Sequence, residues 1–150
     1  MARLVLLSNP AMSDEPVSGA GRGAPNLAAF EDMVRAAYDR LPAGFRRHTE
    51  GLVLRVAEFA TVEVLDELRI DSPWDLLGLF QGVGLAQAEA VPFSGRMPNM
   101  VFLYRRPILA YSASEGETLE AVIAHVLVHE IGHHFGFSDE DMEAIERDAG

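Results

Sequence analysis

The sequence predicts an α+β domain with a small sheet and one long central helix. Short runs of β-branched and aromatic residues, typical of strands, alternate along the chain with segments whose apolar residues recur at helical spacing. Proline and glycine separate these segments. The chain has 150 residues and a hydrophobic content of 49%. This length is near the commonest size of a single domain, and the composition supplies enough apolar surface for one core.

The N-terminal segment differs in composition from the rest of the chain. Residues 8–26 are rich in glycine, proline and serine, a composition that favours a flexible segment. We therefore expect residues 1–25 to form a flexible tail and residues 26–150 to form the folded domain. The apolar run Leu4–Leu7 is shorter than the roughly 7–15 residues of a secretory signal. We expect a cytoplasmic protein that binds no membrane.

The first half of the predicted domain begins with a helix from Leu27 to about Leu41. Asn26 is a favourable N-cap for this helix, and Pro42 and Gly44 end it. The elements predicted next are a strand over residues 51–60, a short amphipathic helix over 61–68, and strands over 76–80 and 100–104.

A long helix dominates the second half of the predicted domain. Ser114 and Glu117 fit a capping box, which predicts a helix running to about Phe135. Such a helix has about 21 residues and is about 31 Å long. Gly136 ends it, and a last helix follows over residues 139–147.

The long helix carries a pattern typical of a zinc site. His129 and His133 are four residues apart, so their imidazoles lie on one helix face and can bind the same ion. Glu130 follows His129 directly and can reach a zinc-bound water, as a general base must. The sequence therefore predicts His129 and His133 as metal ligands and Glu130 as the catalytic base.

A third metal ligand is expected shortly after the helix. Gly136 permits a sharp structural turn, after which Asp139 can return toward the metal and complete the pattern HExxHxxGxxD. A water or Glu140 could take the place of Asp139. His125 lies four residues before His129 on the same helix face. A packed or surface histidine is the simpler interpretation, and the alternative is a group that supports a metal ligand or faces the substrate. One Zn²⁺ suits this set of ligands, although iron or nickel could also occupy it.

Composition narrows the function further. The chain has 12 basic and 23 acidic residues, a formal net charge of −11, and no cysteine. The negative charge argues against nucleic acid as a partner. The absence of cysteine excludes thiolate zinc sites, disulfides and thiol nucleophiles, so any metal must bind histidine and carboxylate.

The motif resembles that of the Asp-zincins, and the chain more closely resembles a family of small bacterial zincin-like metallopeptidases. The resemblance spans about residues 27–145 and includes three stretches: residues 76–82, 102–107 and 128–136. It implies a minimal zincin fold, with a short sheet packed on the active-site helix. It also implies His129, His133 and Asp139 as ligands and Glu130 as base.

The expected activity is zinc-dependent hydrolysis by a peptidase of narrow or short-peptide specificity. Only 11 residues follow Asp139, too few for the cleft-forming subdomain of larger zincins. The strand over residues 100–104 could bind peptide by strand addition if it forms an exposed edge. Two alternatives are a non-catalytic zinc module that binds a protein partner and a hydrolase of non-peptide amides or esters. Tyr104 and Tyr111 could stabilise an oxyanion, but packing in the core is the simpler interpretation.

Overall fold

The computed structural model describes residues 3–5, 24–81, 99–134 and 138–149. Within these ranges a four-stranded mixed sheet packs against helices, which confirms the predicted α+β class. The strands are β1 (Arg3–Val5), β2 (Val53–Ala57), β3 (Leu76–Gln81) and β4 (Met100–Tyr104). The helices are α1 (Leu27–Asp39), α2 (Ala43–Arg46), α3 (Val62–Leu68), α4 (Arg105–Glu115), α5 (Leu119–His134) and α6 (Asp139–Ala149). No helix in these ranges is both long and apolar enough to cross a membrane.

The strand order is β1-β3-β4-β2. β2 pairs with β4 in parallel, whereas β3 runs antiparallel to both β1 and β4. Strand β4 is therefore hydrogen-bonded on both sides, and it offers no exposed edge for a peptide. This excludes the route of strand addition to residues 100–104 that the sequence left open.

The structure places Arg3–Val5 in the sheet, where these residues pair with the antiparallel strand β3. The sequence instead assigned them to a flexible tail over residues 1–25. The glycine- and proline-rich composition that suggested a tail belongs to the residues after this strand, whereas Leu4 and Val5 are typical strand residues. Residues 6–23 lie outside the described residues, so the boundary near residue 25 stays a prediction.

The predicted long helix begins later than expected and follows a separate helix. Helix α4 ends at Gly116, which adopts the left-handed conformation with φ of 66°. Helix α5 begins after Thr118, whose hydroxyl accepts a hydrogen bond from the Ala121 amide at 3.1 Å. The predicted capping box at Ser114 and Glu117 is wrong, because Ser114 lies inside α4. Helix α5 therefore has 16 residues rather than about 21.

The other predicted elements are confirmed within a few residues of their expected ends. Asn26 caps α1 by accepting from the Ala29 amide at 2.8 Å, and Thr61 caps α3. Ser138 caps α6 by accepting from the Asp141 amide at 3.1 Å. Helix α4 was not predicted, because Pro107 closely follows the predicted strand over residues 100–104 and proline commonly interrupts a helix. A proline in the first turn is compatible with a helix, since that turn needs no amide donor.

Apolar side chains cover both faces of the sheet and form two core clusters. Along β4, Val101 and Leu103 belong to the larger cluster, and Tyr104 belongs to the smaller one. The larger cluster packs the sheet against α1 and α5, the helix that carries the motif. Its members on α5 are Val122, Ile123, Val126, Leu127, Val128 and Ile131. Helix α5 is thus held between the sheet, α1 and α6.

Candidate metal and catalytic site

The predicted site residues lie on α5 and at the start of α6. His129, Glu130 and His133 belong to α5, and Asp139 is the first residue of α6. The side chains of His133 and Asp139 lie outside the described residues, as does the whole of Gly136. The ligand set His129, His133 and Asp139 therefore stays a prediction, while His129 and Glu130 can be described atom by atom.

The Glu130 side chain points into the protein toward β3. The residue is 0% exposed, and its Oε1 accepts a hydrogen bond from the Phe80 amide at 3.0 Å. Its second oxygen, Oε2, is also buried and has no hydrogen-bond partner among the described residues. Burial raises the pKa of Glu130 to about 8, although the Phe80 hydrogen bond acts in the opposite direction.

A glycine in β3 allows Glu130 to reach the Phe80 amide. A Cβ atom on Gly78 would lie 2.5 Å from Cγ1 of Val126 and 3.1 Å from the Phe102 carbonyl oxygen. Only glycine therefore fits where α5 meets the sheet. Val126 precedes Glu130 by one helical turn, so both side chains lie on the face of α5 that contacts β3.

Tyr104 lies in the core beside this part of the sheet. It is 3% exposed and belongs to the same cluster as Leu76 and Leu79. Burial raises the pKa of Tyr104 to about 12, and the nearby charge of Glu130 adds to the effect. The packing favours the core interpretation of Tyr104 over a role at an oxyanion.

A second polar group of side chains lies on the adjacent face of α5. His125, His129 and Glu146 each offer a ligand atom, and these three atoms lie within 4.8 Å of one another. Nδ1 of His125 lies 2.9 Å from Oε1 of Glu146, and Nε2 of His129 lies 3.7 Å from Oε2 of the same carboxylate. The two imidazole rings are tilted by 36° to each other, with centroids 4.0 Å apart.

Helix packing explains why these three residues meet. His125 and His129 are one turn apart on α5, so they share a face. On α6, Met142 is 0% exposed and anchors the helix to the larger core cluster. Glu146 follows Met142 by one turn, and its side chain therefore lies beside α5 while remaining 24% exposed.

The cluster fits a zinc ion in its chemistry. Two imidazole nitrogens and one carboxylate oxygen are the donor types of catalytic zinc sites that lack cysteine. The carboxylate also opens to solvent, because Glu146 lines a cleft of about 490 Å³ between α1, α5 and α6. The other residues that line this cleft are Ala37, Arg40, Thr118, Glu120, Ala121 and Ala124.

Two partners at the site were missed in the sequence. Glu146 lies outside the motif, but its spacing of four from the apolar Met142 indicates a position beside the buried face. The Phe80 amide left no sequence signal, because any residue except proline supplies a backbone donor. His125 contacts both His129 and Glu146, and these contacts fit a packed histidine as well as a functional one.

Comparison with known proteins identifies the family. A conserved hypothetical protein of known structure from T. thermophilus is 21% identical, with a TM-score of 0.48, and the match covers 74% of this chain and 94% of that one. No curated protein sequence matches this chain. The model of the zincin-like metallopeptidase family matches residues 49–149, a range that includes α5, α6 and most of the sheet. This chain therefore belongs to the zincin-like metallopeptidase family.

Proposed function

We propose that the protein is a zinc-dependent hydrolase, namely a peptidase of narrow or short-peptide specificity. The observation that carries this proposal is that the side chains of His129 and Glu130, which are consecutive on α5, have different surroundings. His129 faces a cluster of metal-ligand atoms, whereas Glu130 is held on the Phe80 amide with one oxygen left without a partner among the described residues. This arrangement supports separate roles for the two residues in binding the metal and transferring a proton.

The metal is held by the motif histidines, His129 and His133, together with a carboxylate from the segment that forms α6. The sequence spacing favours Asp139 as that carboxylate. Zinc, when bound, supplies a Lewis acid that polarises a carbonyl and makes a water more acidic. The short interval between α5 and α6 supports this assignment, because it keeps the candidate ligands on neighbouring elements.

Glu130 acts as the general base and then as the general acid. The Phe80 amide fixes Oε1, so Oε2 is the atom left to accept a proton from the attacking water. The same oxygen then donates that proton to the leaving amine. Burial raises the pKa of this carboxyl, which makes its ionised form a stronger proton acceptor than an exposed carboxylate.

The shape of the protein supports a small substrate. Strand β4 is paired on both sides, so it cannot bind an extended peptide along an edge. A short peptide is therefore the substrate class that we propose.

The test is hydrolysis of a library of short peptides by the purified, zinc-loaded protein. We expect Glu130→Gln to lower the turnover rate by about 10²- to 10⁴-fold while still binding zinc. Glu143→Gln is the matched control, because it removes an exposed carboxylate from α6. Equal turnover by Glu130→Gln and the wild type would contradict the assignment of the base. Tight zinc binding without cleavage of any peptide, amide or ester would instead favour a non-catalytic zinc module.

A further inference from the structure

We infer that strand β1 occupies the place in which an extended substrate peptide pairs with β3, so that β1 must leave before a peptide can bind. Strand β1 (Arg3–Val5) pairs antiparallel with β3, on the edge that β4 leaves free. This inference rests on the proposed function, because it concerns how a short peptide reaches Glu130. The ligand class that it assigns to this edge is a peptide backbone in the extended conformation.

The first step of the argument is that the edge of β3 occupied by β1 also carries the contact to Glu130. The Phe80 amide donates to Glu130, so it points away from β4. Backbone groups alternate in direction along a strand, so those of Gly78 point to the same side as those of Phe80. On that side, Leu4 of β1 is the partner of Gly78. Leu4 and Glu130 therefore contact the same edge of β3 at positions about 7 Å apart.

The second step is that a peptide in the place of β1 would bring its backbone to the proposed base. When such a peptide pairs with β3 at Gly78, the residue two positions nearer its N-terminus lies opposite Phe80, where the Glu130 carboxyl is held. Backbone hydrogen bonds to a strand edge are a common way to bind an extended peptide, and they fix its direction and register. Strand β1 also lies close to α5, the helix that carries the motif. The occupied edge therefore adjoins both Glu130 and the motif helix.

The third step is that β1 makes only a short pairing with the sheet. The strand has three residues, and its register with β3 is interrupted between Leu4 and Val5. By comparison, β2 pairs with β4 over five residues in continuous register. Short segments with few backbone hydrogen bonds open locally at a small cost in free energy. Local opening of β1 would expose the edge of β3 while β3, β4 and β2 stay paired.

Binding of a synthetic peptide to the metal-free protein tests this inference without hydrolysis. The probe is a fluorescein-labelled peptide with the sequence of residues 2–7, and its binding is measured by fluorescence anisotropy. Leu4→Pro removes the amide that faces Gly78 and should release β1. Because β1 weakens the apparent affinity by the fraction of time for which it occupies the edge, we expect Leu4→Pro to bind the probe about tenfold more tightly than wild type, or tighter still.

Arg3→Pro is the matched control, because the Arg3 amide points away from β3 and proline is tolerated at such a position. Its affinity for the probe should stay within about threefold of wild type, since β1 remains paired. Equal affinity of Leu4→Pro and wild type would overturn the inference. The absence of binding to Leu4→Pro up to about 1 mM probe would also overturn it.

A disulfide between β1 and β3 provides the opposite test, because the natural chain contains no cysteine. Arg3 and Leu79 are antiparallel partners that exchange no backbone hydrogen bonds. The Cα atoms of such a pair are about 4.5 Å apart, which suits a disulfide. When Arg3→Cys and Leu79→Cys are combined, oxidation should abolish binding of the probe and reduction should restore it. Equal binding in the two states would overturn the inference. Circular dichroism checks that each variant is folded.

Hydrolysis by the zinc-loaded proteins separates this inference from the proposed function. We expect Leu4→Pro to lower KM for short peptides by about the factor by which it strengthens binding of the probe, with kcat unchanged, because competition by β1 affects only substrate binding. If wild type and Leu4→Pro hydrolyse peptides with equal KM, only the inference fails. If Leu4→Pro binds the probe but neither protein hydrolyses any peptide, the proposed function fails and the edge of β3 remains a peptide-binding site.

Discussion

Two adjacent faces of α5 differ in how deeply their polar side chains are buried. One face carries Val126 and Glu130, and it packs against β3 with the carboxyl fully buried. The other carries His125 and His129, which meet Glu146 of α6 and remain partly exposed. His129 and Glu130 are consecutive residues, so their side chains point about 100° apart around the helix. This difference in direction separates a buried carboxyl from a partly exposed cluster of candidate ligand atoms.

The difference shows how one helix supports two kinds of chemistry. A buried carboxyl with one unpartnered oxygen destabilises the fold when it is ionised, since desolvation penalises its charge. The imidazoles and carboxylate of the other face retain contact with solvent, and a cation would offset the negative charge there. We expect metal to stabilise the protein through the α6-facing side and Glu130 to destabilise it through the sheet-facing side.

The largest expected effect is that of zinc on the α6-facing side. A ligand at a concentration about 1,000 times its Kd stabilises the folded state by about 4 kcal/mol. We therefore expect chelation of zinc to lower the melting temperature clearly, as measured by calorimetry. His129→Ala should lose most of this stabilisation, because the imidazole is common to the motif and the cluster. An equal response to zinc in His129→Ala would show that the ion binds elsewhere.

The next effect concerns Glu130 in the metal-free protein. The pKa of this carboxyl is raised from 4.5 to about 8 in the folded state. The folded protein therefore binds the proton more tightly than the unfolded chain, and stability falls as the pH rises between these values. At pH 7 the cost is about 3 kcal/mol. We expect Glu130→Gln to be more stable than wild type by a margin that grows from pH 5 to pH 8.

Chemical denaturation of both metal-free proteins at each pH measures this margin. The difference between variant and wild type isolates Glu130, because the other titrating groups are common to both. The margin should become constant above about pH 8, once the carboxyl is ionised in both states. A margin that does not change with pH would show that the pKa of Glu130 is not raised.

A smaller loss is expected at the contact between α5 and β3. Gly78→Ala places a Cβ against Val126 and the Phe102 carbonyl, and overpacking of this kind costs about 2 kcal/mol. The double variant with Val126→Ala should recover part of that loss in a double-mutant cycle. Gly44→Ala is the matched control, because its Cβ would meet only Arg47 at 3.6 Å. Strict additivity of the two substitutions would contradict the proposed close approach.

The smallest effect is expected at Arg105, which lies away from both faces of α5. Arg105 donates to both carboxylate oxygens of Glu58 at 3.0 Å and to the Pro25 carbonyl at 2.8 Å. Lysine cannot reproduce this forked geometry, so Arg105→Lys should cost about 1 kcal/mol in unfolding experiments. Its zinc affinity should equal that of wild type. Arg106→Lys, at a more exposed position with one contact to Glu58, should cost less.

The sequence predicted those parts of the fold that depend on local signals. Asn26, for example, caps α1 by bonding an amide three residues away, so a short window of sequence is enough to predict it. The end of α4 at Gly116 was not predicted, because Ser114 and Glu117 also fit a capping box. Gly116, which lies between them, was the informative residue, because glycine readily adopts the left-handed conformation in which many helices end.

The candidate site was predictable only where the motif defines it. Regular spacing on α5 indicates His129 and Glu130, but it does not give the direction in which each side chain finds a partner. The Phe80 amide is 50 residues from Glu130, and Glu146 is 21 residues from His125. Such contacts depend on how the sheet and α6 pack on α5, and tertiary packing of this kind has no local signature.

The two separations have a consequence for the order in which the site assembles. Closing a 50-residue loop between Phe80 and Glu130 costs about 0.8 kcal/mol more entropy than closing the 21 residues between His125 and Glu146. The helical hairpin of α5 and α6 also needs no strand pairing, and local contacts form faster than distant ones. We therefore expect the contact between His125 and Glu146 to form during folding before the hydrogen bond between Phe80 and Glu130. The candidate ligand atoms would then be in place before the catalytic carboxyl.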